Sequence, residues 1–281
     1  MGNCQGGSCG ANPQQAAKQQ EESIKKALDK IKHKFLVMSG KGGVGKTSVS
    51  VNLAMCLAEQ GFSVGIMDVD IHGPDVPRML GLSDYMATGD GNKLAPMHYS
   101  DNLSAISVES LMPNKDEAVI WRGPLKHSAI QQFIGDVNWG DLDFLIIDSP
   151  PGTGDEPLSV AQTVKEAKAI IVTTPQEVAL SDVRKSISFC KRINMEIFGL
   201  IENMSGYVCP HCDKTVDLFG TGGGEKTAQD SSIPFLGRIP FDPNLVKAGD
   251  AGVAFAKEYT DSEVAGSFKK ISEKMAKLIA G

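Results

Sequence analysis

Two spacings of apolar residues alternate along the chain. Compact apolar runs occupy Phe35 to Met38, Ser63 to Met67, Leu103 to Val108, Leu142 to Ile147, Ala169 to Thr173, Ile197 to Ile201 and Phe235 to Leu236. Short runs of this kind read as buried strands. Between several of them lie segments with helical apolar spacing, such as Ser48 to Glu59, which stops at Gly61. Strand, helix and strand between Phe35 and Met67 form a βαβ unit with a right-handed crossover. Continued alternation predicts an α/β fold, a doubly wound and mostly parallel sheet flanked by helices.

The two ends of the chain follow other patterns. Residues 1–19 are rich in Gly, Gln and Ala and nearly free of large apolar side chains, so a flexible tail carrying Cys4 and Cys9 is expected there. Residues 20–281 then make one domain. From Glu21 onward Ile24, Leu28 and Ile31 share a helical face, and Glu21/Lys25 and Glu22/Lys26 are spaced to pair across a turn. At the other end, Val264, Phe268, Ile271, Met275 and Leu278 line one face of a helix over Asp261 to Ala280, with Lys269, Lys270, Lys274 and Lys277 nearby. A basic amphipathic helix suits a membrane surface, but Asp261, Glu263 and Glu273 weaken that reading and favour packing on the sheet.

Composition narrows the function classes. With 281 residues, 41% of them hydrophobic, the chain can bury a large core. A net charge of -6 without a Lys/Arg-rich run argues against a nucleic-acid partner, because phosphate backbones demand clustered positive charge. No stretch approaches the roughly 18 apolar residues of a membrane span. No charged segment followed by an apolar run marks a secretory signal, so a cytoplasmic location and reduced cysteines are expected. Met1-Gly2-Asn3-Cys4 lacks the Ser or Thr of an acylation site, having Gly6 there.

The first strand leads into Gly40-Lys41-Gly42-Gly43-Val44-Gly45-Lys46-Thr47, a match to G-x-x-x-x-G-K-T followed by Ser48 at the start of the helix. Glycines let backbone N–H groups converge on phosphate oxygens, the helix presents its N-terminus, Lys46 adds a point charge and Thr47 offers a hydroxyl to Mg²⁺. A plain glycine turn is the alternative, but strand before and helix after is the context the motif requires. Asp148 closes the apolar strand from Leu142 and is the partner acid for the metal, since ligands of open α/β sheets bind beyond strand carboxyl ends. Asp68 and Asp70 close another strand, and one of them is placed to orient the attacking water. GTP is the weaker substrate: Asn114-Lys115-Asp116-Glu117 has Glu117 where a guanine-reading motif has aspartate, and it precedes Asp148.

With these residues in place a family resemblance emerges. Lys41 before the glycines resembles the deviant Walker A motif of the MinD-like dimeric ATPases. Trp121-Arg-Gly-Pro124, Asp148-Ser-Pro-Pro-Gly-Thr-Gly-Asp155, Thr174-Pro-Gln-Glu-Val-Ala-Leu180, Glu202-Asn-Met-Ser205, Cys209-Pro-His-Cys212 and Gly237-Arg-Ile-Pro240 narrow it to the Mrp/ApbC iron-sulfur carrier ATPases. The resemblance spans about residues 34 to 255. It implies ATP as substrate, a homodimer in which Lys41 reaches the partner's phosphates, Asp70 positioning water, and Asn203 contacting adenine. Gly73-Pro74-Asp75 departs from the family's Gly-Pro-Ser.

Cys209 and Cys212 are the close cysteine pair outside the tail. Spacing alone suits zinc at least as well as iron, because Cys₄ zinc sites are built from such pairs. A redox dithiol fits poorly, since the motif follows a late strand. The resemblance favours a labile [4Fe-4S] cluster bridging two subunits and delivered to apo iron-sulfur proteins. A positioning ATPase with a structural zinc or idle cysteines is the competing class. Cys4 and Cys9 cannot complete a four-thiolate site alone, and Cys56 and Cys190 fall on apolar helix faces where inert thiols are expected.

Overall fold

The compact apolar runs form the strands of one sheet. This computed structural model describes residues 13–71, 73–83, 85, 88–90, 93–111, 123–209, 211–212 and 214–280. Cys4, Cys9, Asn114 to Glu117, Trp121 and Arg122 lie outside the described residues. The first part of the chain contains α1 (Pro13–Leu28), β1 (Ile31–Ser39), α2 (Lys46–Glu59), β2 (Val64–Asp68) and α3 (Val76–Met79). Four strands, β3 (Thr88–Asp90), β4 (Lys93–Ala95), β5 (Met97–Ser100) and β6 (Leu103–Ser107), precede α4 (Gly123–Asp136) and β7 (Leu142–Asp148). Next come α5 (Asp155–Thr163), β8 (Lys168–Thr173), α6 (Glu177–Arg192), β9 (Ile197–Asn203), β10 (Tyr207–Val208) and β11 (Thr215–Val216). The chain ends with α7 (Gly223–Asp230), β12 (Phe235–Ile239), α8 (Pro243–Asp250), α9 (Phe255–Glu258) and α10 (Glu263–Ala280).

The main sheet runs β12-β9-β8-β1-β7-β2-β6-β5. Only its edge strand β5 is antiparallel to its neighbour. Central strands are covered on both faces, which is why their sequences are nearly continuous in apolar residues. In β1, Phe35 and Val37 join the core beneath α2 and α10, while Leu36 joins the core beneath α1, α4 and α5. The first βαβ unit leaves β1 and β2 separated by β7, so three strand ends meet at one place. Val37 and Asp68 both pair in register with Asp148 there.

Both terminal helices differ from expectation at their ends. The N-terminal helix starts at Pro13 and not near Glu21, so residues 13–19, expected in the tail, are helical. Gln, Ala and Lys propagate a helix well, and proline is tolerated in its first turn. Ile31 is not on that helix: it opens β1 opposite Leu142. Ile24 is the buried anchor, seated where Gly135 of α4 has no side chain. In α10, Val264, Phe268, Ile271 and Met275 are buried against the sheet side, whereas Leu278 is 51% exposed in the last turn.

Candidate functional site

Sequence-local geometry shapes the glycine loop between β1 and α2. Gly45 caps α2 at φ 76°, ψ 29°, a left-handed conformation that costs a Cβ-bearing residue energy. A Cβ at Gly45 would also collide with Asn203 Nδ2, and one at Gly40 with the Asp182 backbone of α6. The loop is therefore wedged between β9 and α6. Above it opens a cleft of about 360 Å³ lined by Lys41 to Ser48, Asp70, Asp75, Arg78, Pro151 and the α8 residues Leu245, Val246 and Gly249.

Beneath the cleft lies a buried polar cluster. Lys46 Nζ sits 2.6 Å from Asp148 Oδ2, and the Thr47 hydroxyl donates to the same oxygen at 2.7 Å. Ser50 Oγ lies 2.5 Å from Asp148 Oδ1 as its donor. Asp148 is 1% exposed, so its charge is offset by Lys46 and by these hydroxyls. Ser50 was not singled out from sequence, although the one-turn step from Lys46 along α2 carries that signal.

Across the strand pair, the Asp68 carboxyl is pushed well above the usual carboxylate range, first by full burial and next by the Asp148 charge. It therefore holds a proton more readily than an ordinary aspartate. Its oxygens accept the backbone N–H groups of Asp70, at 3.0 Å, and Val76, at 3.1 Å. That anchors the loop which brings Asp70 to the cleft, where Asp70 accepts the Gly73 N–H at 3.3 Å. Lys41, Lys46, Thr47, Ser48 and Asp70 thus converge, with Asp148 directly below.

Asn203 stands apart from this lining. It is 1% exposed, its Nδ2 donates to the Val44 carbonyl at 2.9 Å, and its Oδ1 is buried without a partner among the described residues.

The cysteine pair occupies a separate hairpin. Tyr207 and Val208 pair with Val216 and Thr215, and the Cys209 N–H donates to the Lys214 carbonyl at 3.0 Å. The Cys209 thiol is held below the usual thiol range, first by the His211 N–H, then by the Cys212 side chain and N–H. Cys212 is exposed and Cys209 partly so. Val208, Val216 and Leu218 on the same hairpin are 40%, 43% and 51% exposed. Among the described residues, no group of three or more His, Cys, Asp or Glu side chains is arranged to hold a metal ion.

Burial pushes the thiols of Cys56 and Cys190 up to about 12, which makes them inert. Iodoacetamide should accordingly alkylate Cys209 and Cys212 in the native protein and reach Cys56 and Cys190 only after unfolding, as read by peptide mass spectrometry. A depressed thiol remains thiolate at lower pH, so Cys209 labelling should persist below the pH at which a free thiol stops reacting. Equal labelling of Cys56 would contradict its burial.

The chain matches the family model of the ParA type described as NUBPL iron-transfer P-loop NTPase over residues 30–276. It is 47% identical over 264 residues to the iron-sulfur cluster carrier protein of Methanocaldococcus jannaschii, covering 94% of this chain and 90% of that one. It is 49% identical over 247 residues to the cytosolic Fe-S cluster assembly factor NUBP2 homolog of Dictyostelium discoideum, covering 86% and 93% respectively. Among solved structures, a nucleotide-binding protein of Archaeoglobus fulgidus in complex with ADP superposes with TM-score 0.74 at 39% identity, covering 85% of this chain and 93% of that one. MinD of Pyrococcus horikoshii with Mg-ADP shares the fold at TM-score 0.64 and 24% identity, covering 88% and 97%. Matched along most of its length by that model and by relatives near half identical, the chain belongs to the iron-transfer P-loop NTPases, the family of the iron-sulfur cluster carriers.

Proposed function

We propose that the chain is an ATP-hydrolysing carrier that holds a labile [4Fe-4S] cluster between two copies and transfers it to apo-proteins in the cytosol. The observation that carries this reading is the exposed hairpin with two adjacent thiols and, among the described residues, no third metal-ligating side chain grouped with them. A cubane cluster takes four thiolates, and a two-fold axis through two such hairpins supplies them. Val208, Val216 and Leu218 give that contact an apolar surface to bury. The depressed Cys209 thiol favours the deprotonated ligand that iron requires.

In the cleft, the P-loop amides and Lys46 hold the phosphates of ATP, and Thr47 with Asp148 supports Mg²⁺. The donor set fits that ion: a hydroxyl and a carboxylate oxygen lie within 2.7 Å of one another at the helix start. Asp70 orients the attacking water, and Lys41 contributes charge across the dimer. Binding ATP between two copies thereby brings the hairpins together, linking hydrolysis to cluster loading or release.

Anaerobic reconstitution, with iron and sulfide counted per dimer and Mössbauer spectra recorded, tests the reading. One cubane cluster per dimer is expected. Bound zinc without sulfide sinks the cluster assignment and leaves a zinc-bridged ATPase. The dimeric active site has its own test. Mixed Lys41→Ala and Asp70→Ala subunits should regain activity in one of their two composite sites, because one site receives both native side chains. No recovery in purified heterodimers means each subunit hydrolyses ATP alone.

A further inference from the structure

One buried carboxylate closes the neck of the excursion that carries the cysteines. Glu202, 0% exposed at the end of β9, accepts the Ser205 hydroxyl at 2.5 Å on the outgoing side. On the returning side it accepts the N–H groups of Gly222, at 2.8 Å, and Gly224 at the start of α7. Arg238 Nε lies 3.6 Å from the same carboxylate. The base of the hairpin is also tied to the sheet. Ser205 N–H donates to Ile239 O at 3.0 Å, Phe241 N–H donates to Gly206 O at 2.8 Å, and Tyr207 and Phe219 both meet the Phe241 ring edge-on.

The next residue along the strand is Asn203, whose side chain must leave on the opposite face. Its amide supports the P-loop through Val44, and its Oδ1 is buried and unpartnered. Adjacent residues of a single stiff strand therefore grip the two functional regions, one from each face.

We infer that the Glu202-Asn203 end of β9 couples nucleotide occupancy of the P-loop to the geometry of Cys209 and Cys212, with Glu202 as the positioning residue. The inference rests on the proposed function for what the cysteines hold and not for the coupling itself. A nucleotide that shifts Val44 or recruits the half-satisfied Asn203 amide moves the strand end. Glu202 is fully buried with acceptors engaged on both sides of the neck, so a shift of the strand end is carried into the base of the hairpin. A buried carboxylate facing a helix N-terminus and a guanidinium also keeps its charge-assisted bonds in a dry setting, where they are strongest.

The test uses the full chain with Cys4→Ser and Cys9→Ser, free of iron, at a concentration where sedimentation gives the same oligomeric state with and without Mg-ADP. The rate of Cys209 alkylation is measured in both conditions. Mg-ADP should change that rate about fivefold or more. In Glu202→Gln, which keeps shape but replaces two acceptor sites by one acceptor and one donor, Mg-ADP affinity should be retained and the rate ratio should fall to about one. Loss of positioning alone would alter the rate equally in both conditions and leave the ratio intact. Should Glu202→Gln fail to fold, Ser205→Ala removes only the outgoing half of the clamp and should roughly halve the logarithm of the ratio, the response expected when one of two comparable links is cut. A ratio of one in the parent protein, or an unchanged ratio in these variants, overturns the inference. Because no iron is present, either outcome stands apart from the cluster count that tests the proposed function.

Discussion

Lys46→Ala and Asp148→Asn should each lower ATP hydrolysis by about a hundredfold or more, measured as phosphate release at saturating ATP. Lys46 is the cation at the base of the cleft, and its ammonium lies 2.6 Å from Asp148. Removing it takes charge from the phosphates and leaves a carboxylate that is 1% exposed without its counter-ion. Breaking a buried pair from one side costs about 3–5 kcal/mol, so both variants should also melt earlier. Asp148→Asn preserves shape, but it weakens metal support and strands Lys46 instead. The two losses separate by nucleotide binding followed with a fluorescent ATP analogue: Lys46→Ala should lose affinity, while Asp148→Asn should lose mainly the Mg²⁺ dependence. Thr47→Ser keeps the hydroxyl and should keep most of the rate. Normal turnover in either charge variant would remove hydrolysis from this P-loop.

Much of this site was legible because its signals are local. The P-loop needs its residues within one turn, and Asp148 is marked by the apolar strand it closes. The sheet was legible for a related reason: strands covered on both faces must be apolar throughout, as in Phe35 to Met38. What was missed depends on partners distant in sequence. The proton-holding character of Asp68 arises first from its full burial and next from its register with Asp148 across two parallel strands. Ser50 matters only because α2 turns it back under Lys46. Glu202 stood inside a recognised motif, but its grip on Gly222 and Gly224 depends on where α7 returns. The hydrogen bond from the Asn203 amide to the Val44 carbonyl likewise joins residues far apart in sequence. The edge strand β5 and the separate β3-β4 pair are short and partly polar, so no apolar run announces them. Ile31 continued the helical spacing of Ile24 and Leu28 yet belongs to β1, because an i, i+3 step cannot tell where a helix stops.

Cys209→Ala and Cys212→Ala, made singly, should each lose the reconstituted cluster and its transfer to an apo-acceptor while ATP turnover stays within about twofold, since the hairpin lies outside the cleft proposed to hydrolyse ATP. In the proposed dimer each substitution removes one thiol per chain but two per pair of chains, leaving two thiolates where a cubane needs four. Partial retention is therefore not expected: a two-fold axis that completes the proposed site also doubles every defect in it. The exposure of Cys212 and the polar His211 beside it would leave the proposed cluster open to exchange, so even the parent cluster should pass to an excess of chelator within the time a buried cluster would survive. Visible absorption after anaerobic reconstitution, iron and sulfide per dimer, and activation of an apo-acceptor measure the three parts separately. Should both variants keep their cluster, or should its binding follow Cys4 and Cys9 instead, the bridging site is wrong. If the cluster is lost together with ATP hydrolysis, the hairpin is part of the hydrolytic machinery and the separation of cleft from cargo fails.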